Sequence, residues 1–328
     1  MRNRKKLEAG LLGLVLALVT AIACMGVHAQ TWPNRQVRII IPFTAGGGVD
    51  TVSRILADKL GATTGQSFVV DNRPGAGGNI AMELVAKAGP DGYTLLSGTV
   101  TIAINPTLYS KINYRIEDFV AVTEVGEAPL LLAVNPSLPV RSLADLVKLA
   151  KARPGEVHFG SPGTGSGGHL ASELFRIMAG LDMIHVPYKG ALQALHDVIG
   201  GQIEMVISTI PAILPQVRAG RVRALGQTGL KRSPNAPDIP TLDEGGIKGY
   251  TVAVWYIIFA PAKTPLPIIN RIYAELAKVL KLPDVQERLK AAGVDEIVGA
   301  GPKQAAEFVK SEHARWAKVI QATGAKAD

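Results

Sequence analysis

The chain is poor in the residues that most often carry chemistry. Cysteine occurs once in 328 residues, at Cys24, so the rest of the chain can hold no disulfide, no reactive thiol and no thiolate metal site. Aromatic residues make up 5%, and no basic stretch is interleaved with them, which argues against a nucleic-acid partner. The formal net charge of +8 is scattered rather than blocked, the pattern of a solvated surface. The histidines beyond position 28 are His158, His169, His185, His196 and His313; none forms HExxH or an i, i+4 pair, so no metal is expected. No two carboxylates are spaced for acid–base work.

Long hydrophobic runs are also missing, with one short exception. Leu11–Ala23 is uncharged and mostly apolar, preceded by Arg2, Arg4, Lys5 and Lys6 and followed by Val27-His28-Ala29. Thirteen residues fall short of the about 20 that span a bilayer. The pattern predicts a secretory signal peptide over 1–29, cleaved before Gln30, and hence a periplasmic protein. Lipidation at Cys24 is disfavoured, because Ala21 stands where such a signal has Leu. Four leader bases against Glu8 leave +5 of the +8 on the remaining chain. Its roughly 300 residues exceed one ordinary core and predict two domains.

What is present is an alternation of short β-branched runs and amphipathic helices. QVRIIIPF (36–43), SFVVD (67–71) and YTLLS (93–97) read as strands, with Val49, Val52, Ile55, Leu56 and Leu60 on a helix between the first two. Asn79–Ala88 reads as the next helix. The alternation restarts where Ser142 and Asp145 form a capping box. A strand Val157–Gly160, a helix Leu170–Ala179, a strand Met183–Pro187, a helix Ala191–Ile199 and a strand Ile203–Ser208 follow. Strands separated by helices predict parallel sheets. The apolar runs PLLLAVNP (129–136) and YTVAVWYIIFAP (250–261) fit neither set and read as two crossings between domains. The helices Ile268–Leu280, one around Val285 and Leu289, and Ala305–Ala322 are expected to return to the first domain. The lobes expected are therefore 30–130 with 251–328, and 131–250, with a cleft between them.

Glycine-rich loops stand at the strand-to-helix junctions of both halves: Phe43–Asp50, Asn72–Asn79, Ser161–His169 and Tyr188–Ala191. Gly46-x-Gly48 after a strand, with Asp71 further on, resembles a dinucleotide fingerprint, but Thr51 replaces its third glycine. No loop ends in Gly-Lys-Ser/Thr, which excludes a Walker site. Ser166 could be a nucleophile, yet Thr164 occupies the first glycine of a nucleophile elbow, so an exported ester hydrolase is the weaker reading. His185, inside a strand, reads as structural; His169, at the opening of a helix, either faces the cleft or serves the helix cap. Helix N-termini beyond the strand ends suit anions, and a carboxylate is the natural guest.

Eight stretches in order resemble the solute-binding proteins of tripartite tricarboxylate transporters, the Bug (Bordetella uptake gene) family. They are IPFTAGGGVDTVSR, VVDNRPGAGGNIA, PDGYTLL, GSPGTGSGGHLASELF, HVPYKGALQALHDVIGGQIEM, GRVRALGQT, PDIPTLDEGG and VWYIIFAPAKTP. The resemblance implies an α/β, two-lobed periplasmic binding protein of type II, a Venus flytrap whose lobes are parallel-rich sheets with flanking helices. It implies no enzyme activity, no cofactor and a monomer that hands a di-, tri- or aromatic carboxylate to membrane permease subunits, or else signals its capture to a sensor. Carried over, the ligand residues are Phe43, Thr44, Gly46, Gly47 and Asp50; Ala76 and Gly77; and Ser97, Gly98 and Thr99. The other lobe contributes Gly163, Thr164, Gly165, Ser166, His169, Tyr188, Ser208 and Thr209. This chain departs from the family at Pro162 and Thr164, in a loop that more often reads Ser-Ser-Gly-Asn-Gly. It departs again at Ser208, where many members have Asp. Both departures leave the ligand's identity open.

Overall fold

Two long antiparallel strands tie together two sets of parallel strands. The computed structural model describes residues 32–323 and 326–327. The expected leader, Cys24 and the Gln30 start lie outside the described residues. Residues from Arg35 onward form a compact unit of their own.

The first set comprises β1 (Val37–Ile41), β2 (Phe68–Asn72) and β3 (Thr94–Gly98), with β1 in the centre and both pairings parallel. Its crossovers are α1 (Gly48–Thr64) and α2 (Asn79–Ala86). Val49, Val52, Ile55, Leu56 and Leu60 are buried on one face of α1, as their helical spacing requires. Gly65, at φ 71°, ends that helix by donating its N–H to Gly61 O; Gly61 itself stays helical. The second set comprises β5 (His158–Ser161), β6 (Ile184–Pro187) and β7 (Met205–Thr209), parallel with β5 in the centre. Its helices are α4 (Leu143–Ala152), α5 (Gly167–Ala179), α6 (Ala191–Ile199) and α7 (Ile210–Arg218). The Ser142–Asp145 capping box is formed in both directions.

The link is β4 (Phe119–Val134), 16 residues long. Phe119–Pro129 pairs antiparallel with β9 (Ala253–Pro261), which pairs on its other side with β3. From Leu130 to Val134 the same strand pairs with β7, and from Leu131 with β8 (Arg223–Gln227). The apolar run at 129–136 is thus only the tail of a longer strand. Glu124, Gly126 and Glu127 interrupt the apolar pattern upstream, although Phe119, Ala121, Val122, Val125 and Ala128 are all buried. Two further helices were hidden by prolines: α3 (Thr101–Leu108) contains Pro106, and α7 contains Pro211 and Pro215. The C-terminal helices α8 (Leu266–Leu280), α9 (Pro283–Ala291) and α10 (Pro302–Thr323) return to the first set: α8 and α9 pack on α1, α10 on β4 and α3.

β4 carries an acidic cluster just before it changes sheets. β10 (Glu296–Ala300) pairs with it at Glu124–Glu127, bringing Glu296 opposite Glu127. Glu312 of α10 accepts from the indole N–H groups of Trp255 and Trp316, at 3.1 and 3.0 Å. Glu124 is buried, and among the described residues the charges that act on it are other carboxylates. Burial, and then Glu127, Glu296 and Glu312, push its carboxyl up to about 7 from 4.5. The folded state therefore holds this proton more tightly than the unfolded chain, and stability falls as pH rises from about 4.5 to about 7. Glu124→Gln keeps the shape and removes the titration. Thermal unfolding should show the difference in melting temperature, variant minus wild type, growing more positive from pH 5 to pH 8. A difference that does not change with pH would refute the assignment.

Candidate ligand site

The carboxyl ends of both strand sets, and the first turns of the helices that follow them, enclose one inner cavity of about 60 Å³. Phe43, Thr44 and Gly47 line it from the β1–α1 loop, with Gly48, Val49 and Asp50 in the first turn of α1. Thr99 follows β3. From the second set come Ser166, Gly167 and Gly168 at the start of α5, Ala191 at the start of α6, and Ser208 with Thr209 where β7 enters α7. Leu130 of β4 and Val254 and Tyr256 of β9 complete the wall, so both crossing strands contribute to it.

Four helix starts thus border the same space, each carrying unpaired N–H groups and about half a positive charge. No Arg, Lys or His is among the lining residues. Asp50 is the one carboxylate there, and it is already engaged. Its carboxylate accepts from Arg54 Nε at 2.9 Å, Gly46 N–H at 3.0 Å and Asn72 Nδ2 at 3.1 Å. Burial alone would raise its pKa; Arg54, Gly46 and Asn72 outweigh that and hold it below the ordinary carboxylate value. By contrast, Thr99 Oγ1, Ser208 Oγ and Tyr256 OH are buried without a hydrogen-bond partner among the described residues. A buried hydroxyl with no partner costs about 1–3 kcal/mol. Three at one cavity fit a site whose missing acceptor is the ligand.

A second chamber of about 410 Å³ shares Phe43 and Pro162 with the inner one. Ala76 and Gly77 line it from one side, and Gly163, Thr164 and Tyr188 from the other, with Lys189 the one cation in its wall. Tyr188 OH donates to Asp197 at 2.6 Å, which fixes its ring.

Five residues expected at the site stand back from both chambers. Ser97 and Gly98 remain within β3 and are buried. Gly46 lies against Leu192, and Gly165 against Asn105 of α3. His169 does not open α5: the helix begins at Gly167 with Ser166 as N-cap, whose Oγ accepts His169 N–H at 3.3 Å. The His169 ring is buried behind the loop and accepts Gly165 N–H at Nδ1, 3.1 Å away. No base approaches Ser166 Oγ within hydrogen-bonding distance among the described residues, and no acidic or histidine cluster there could hold a metal ion. The sequence reading missed Tyr256, Leu130 and Val254, because they belong to runs that look like plain core.

The two sets touch through glycines. A Cβ on Gly190 would overlap Thr44 Oγ1, and one on Gly77 would overlap Thr164 O. Gly190 has φ −175°, an extended backbone that any residue adopts, so only the approach of Thr44 from the other set requires glycine there.

The profile of the tripartite tricarboxylate transporter family receptor matches residues 52–325. This chain belongs to that family. It is 38% identical to protein BugT of Bordetella pertussis over 94% of this chain and 95% of that one. Among solved structures, R. palustris Rpa4515 with adipate is 40% identical, with a TM-score of 0.86 over 89% of this chain and 98% of that one. The periplasmic binding protein BugD is 32% identical, with a TM-score of 0.85 over 90% and 99%. The receptor therefore has the two-domain α/β fold of periplasmic binding proteins.

In this receptor Tyr256 offers the clearest separation of stability from binding, because its hydroxyl has no hydrogen-bond partner among the described residues. Tyr256→Phe should leave the melting temperature of the ligand-free receptor unchanged or raised. A hydrogen bond to a charged group is worth about 1.5–3 kcal/mol, so carboxylate affinity should fall about tenfold or more. Calorimetry and thermal unfolding check the pair; a destabilised variant with unaltered affinity would contradict it.

Proposed function

We propose that the protein is a periplasmic, monomeric receptor that captures a small carboxylate between its two lobes and presents it to membrane permease subunits. The observation that carries this reading is the inner cavity itself: four helix starts and three unpartnered hydroxyls around one space without a cation. Such a wall stabilises a carboxylate through N–H and O–H donors, and its one carboxylate, Asp50, is already engaged by Arg54. Family membership and the adipate held by Rpa4515 support the same class of ligand. The inner cavity is sized for one carboxylate group, and the outer chamber has room for the rest of the molecule.

On this reading the lobes are 30–130 with 251–328, and 131–250, and they close over the ligand about the crossing strands. Closure follows because the ligand contacts loops of both sets and so favours the state in which they meet. The receptor's partners and the leader's cleavage belong to the same proposal.

Ser208 decides the kind of carboxylate. An Asp at this strand end would place a negative charge in the cavity, able to pair with a ligand ammonium. Ser208 offers an unpartnered hydroxyl instead, and the remaining carboxylate, Asp50, is held by Arg54. At about 4 Å and an effective dielectric of about 20 one unit charge is worth roughly 4 kcal/mol before desolvation. Even a quarter of that changes affinity several-fold. Calorimetry on succinate, adipate, citrate, phthalate, aspartate and glutamate should therefore show plain carboxylates binding better than the amino acids. Tight binding of glutamate with none of the plain carboxylates would refute the reading of Ser208; no binding by any of them would refute the carboxylate assignment.

A further inference from the structure

The turn that begins α5 is held from behind by two histidines that line neither chamber. Ser161, at the end of β5, is buried; its Oγ lies 2.6 Å from His185 Nε2, donates to Gly163 O and accepts Gly163 N–H, both at 3.2 Å. Ser166 N–H returns to Gly163 O at 3.0 Å, and Gly165 N–H goes to His169 Nδ1 at 3.1 Å. Gly163 and Gly165 both have positive φ, 137° and 80°, so the turn takes its shape from these bonds rather than from backbone preference. The N–H groups of Gly163, Gly165 and Ser166 are thereby used within the turn. Those of Thr164, Gly167 and Gly168 have no protein partner among the described residues.

The rings of His169 and His185 are 4.0 Å apart between centroids, with Phe159 stacked 5.0 Å from His185. Two imidazolium charges cannot coexist at that distance in a buried site. Burial pushes His169 down to about 3, with His185 and Arg176 adding to the effect, and burial pushes His185 down to about 4. Because His169 Nδ1 accepts from Gly165, its proton sits on Nε2. A proton on Nδ1 would set two N–H groups against each other and open the turn.

We propose that His169 and His185 are positioning residues: a neutral, closely packed pair that locks the Gly163–Ser166 turn and so leaves the Thr164, Gly167 and Gly168 N–H groups for the ligand. The inference rests on reading the adjoining cavity as the carboxylate site. It gives the second lobe's anion site a rigid backing and assigns a role to the histidine in the GSGGH stretch that is not ligand contact.

The test uses the full chain, with adipate as probe. His169→Asn places Oδ1 where Nδ1 stands and can still accept Gly165 N–H; His169→Phe keeps the volume and loses the acceptor. We expect Kd for adipate to rise about tenfold or more in the Phe variant and to stay within about threefold in the Asn variant. Amide exchange at Gly165 should quicken in the Phe variant alone, and the imidazole nitrogen spectrum of the wild type should show the Nε2–H tautomer of His169 at pH 7. An Nδ1–H tautomer overturns the proposal, and so does a Phe variant with wild-type Kd and wild-type Gly165 exchange. If the wild type binds no adipate, the carboxylate assignment suffers, while the tautomer and the exchange rate still decide the role of the pair. The tautomer also decides if a variant fails to fold, since it is measured on the wild type.

Discussion

The antiparallel pairing of β4 with β9 is the constraint on which the other features depend. Along Phe119–Pro129 β4 is bound to the first strand set through β9; along Leu130–Val134 it is bound to the second set through β7 and β8. One continuous backbone thus joins the two parallel sheets near their carboxyl ends. The helices that follow those ends start close to one another, and their N-termini border one cavity. The same strands supply Leu130, Val254 and Tyr256 to its wall. A shift in the β4–β9 register would move both the helix starts and Tyr256, so the framework and the ligand wall are one construction.

The site's electrostatics follow from that placement. A guanidinium in the cavity would attract any anion strongly but would itself have to be desolvated. Backbone N–H groups at helix starts are already oriented when the sheets are formed, and they offer partial charges in a fixed direction. Their weakness is that glycine loops are pliable. The receptor answers this with rigid backing on each side: Asp50 is gripped by Arg54, Gly46 and Asn72 on the first lobe, and on the second the His169–His185 pair stands behind its turn. On the proposed reading, selectivity is left to the hydroxyl of Ser208 in the inner cavity and to Lys189 in the wall of the outer chamber.

Much of this was legible in the sequence, for identifiable reasons. The parallel sets were announced by β-branched runs alternating with helical stripes, and Ser142 with Asp145 marked a helix start correctly. The loops Phe43–Asp50 and Ser161–His169 were marked by glycine, and eight of the residues they and Tyr188 contributed to the expected site line the chambers. What stayed hidden was masked by context. The first half of β4 carries Glu124 and Glu127, which make a buried strand read as a polar segment. Tyr256 sits in an apolar run whose periodicity gives no sign that one hydroxyl faces a cavity. His169 looked like a residue at a helix start because glycines precede it; the cap belongs to Ser166, which places the ring in the core. Partnership between distant residues, such as Thr44 with Gly190, is not encoded in any local pattern.

The central claim is that the site is complete only when the two strand sets meet, and Gly190 gives the most direct test. Small-angle scattering of the receptor with saturating adipate should show a smaller radius of gyration than without it. Gly190→Ala is compatible with its own backbone but obstructs Thr44, so it should abolish the contraction; adding Thr44→Ala, which removes the obstructing hydroxyl, should restore it. Contraction of the Gly190→Ala receptor to the same extent as wild type, or no contraction in a wild type that binds adipate, would contradict the account.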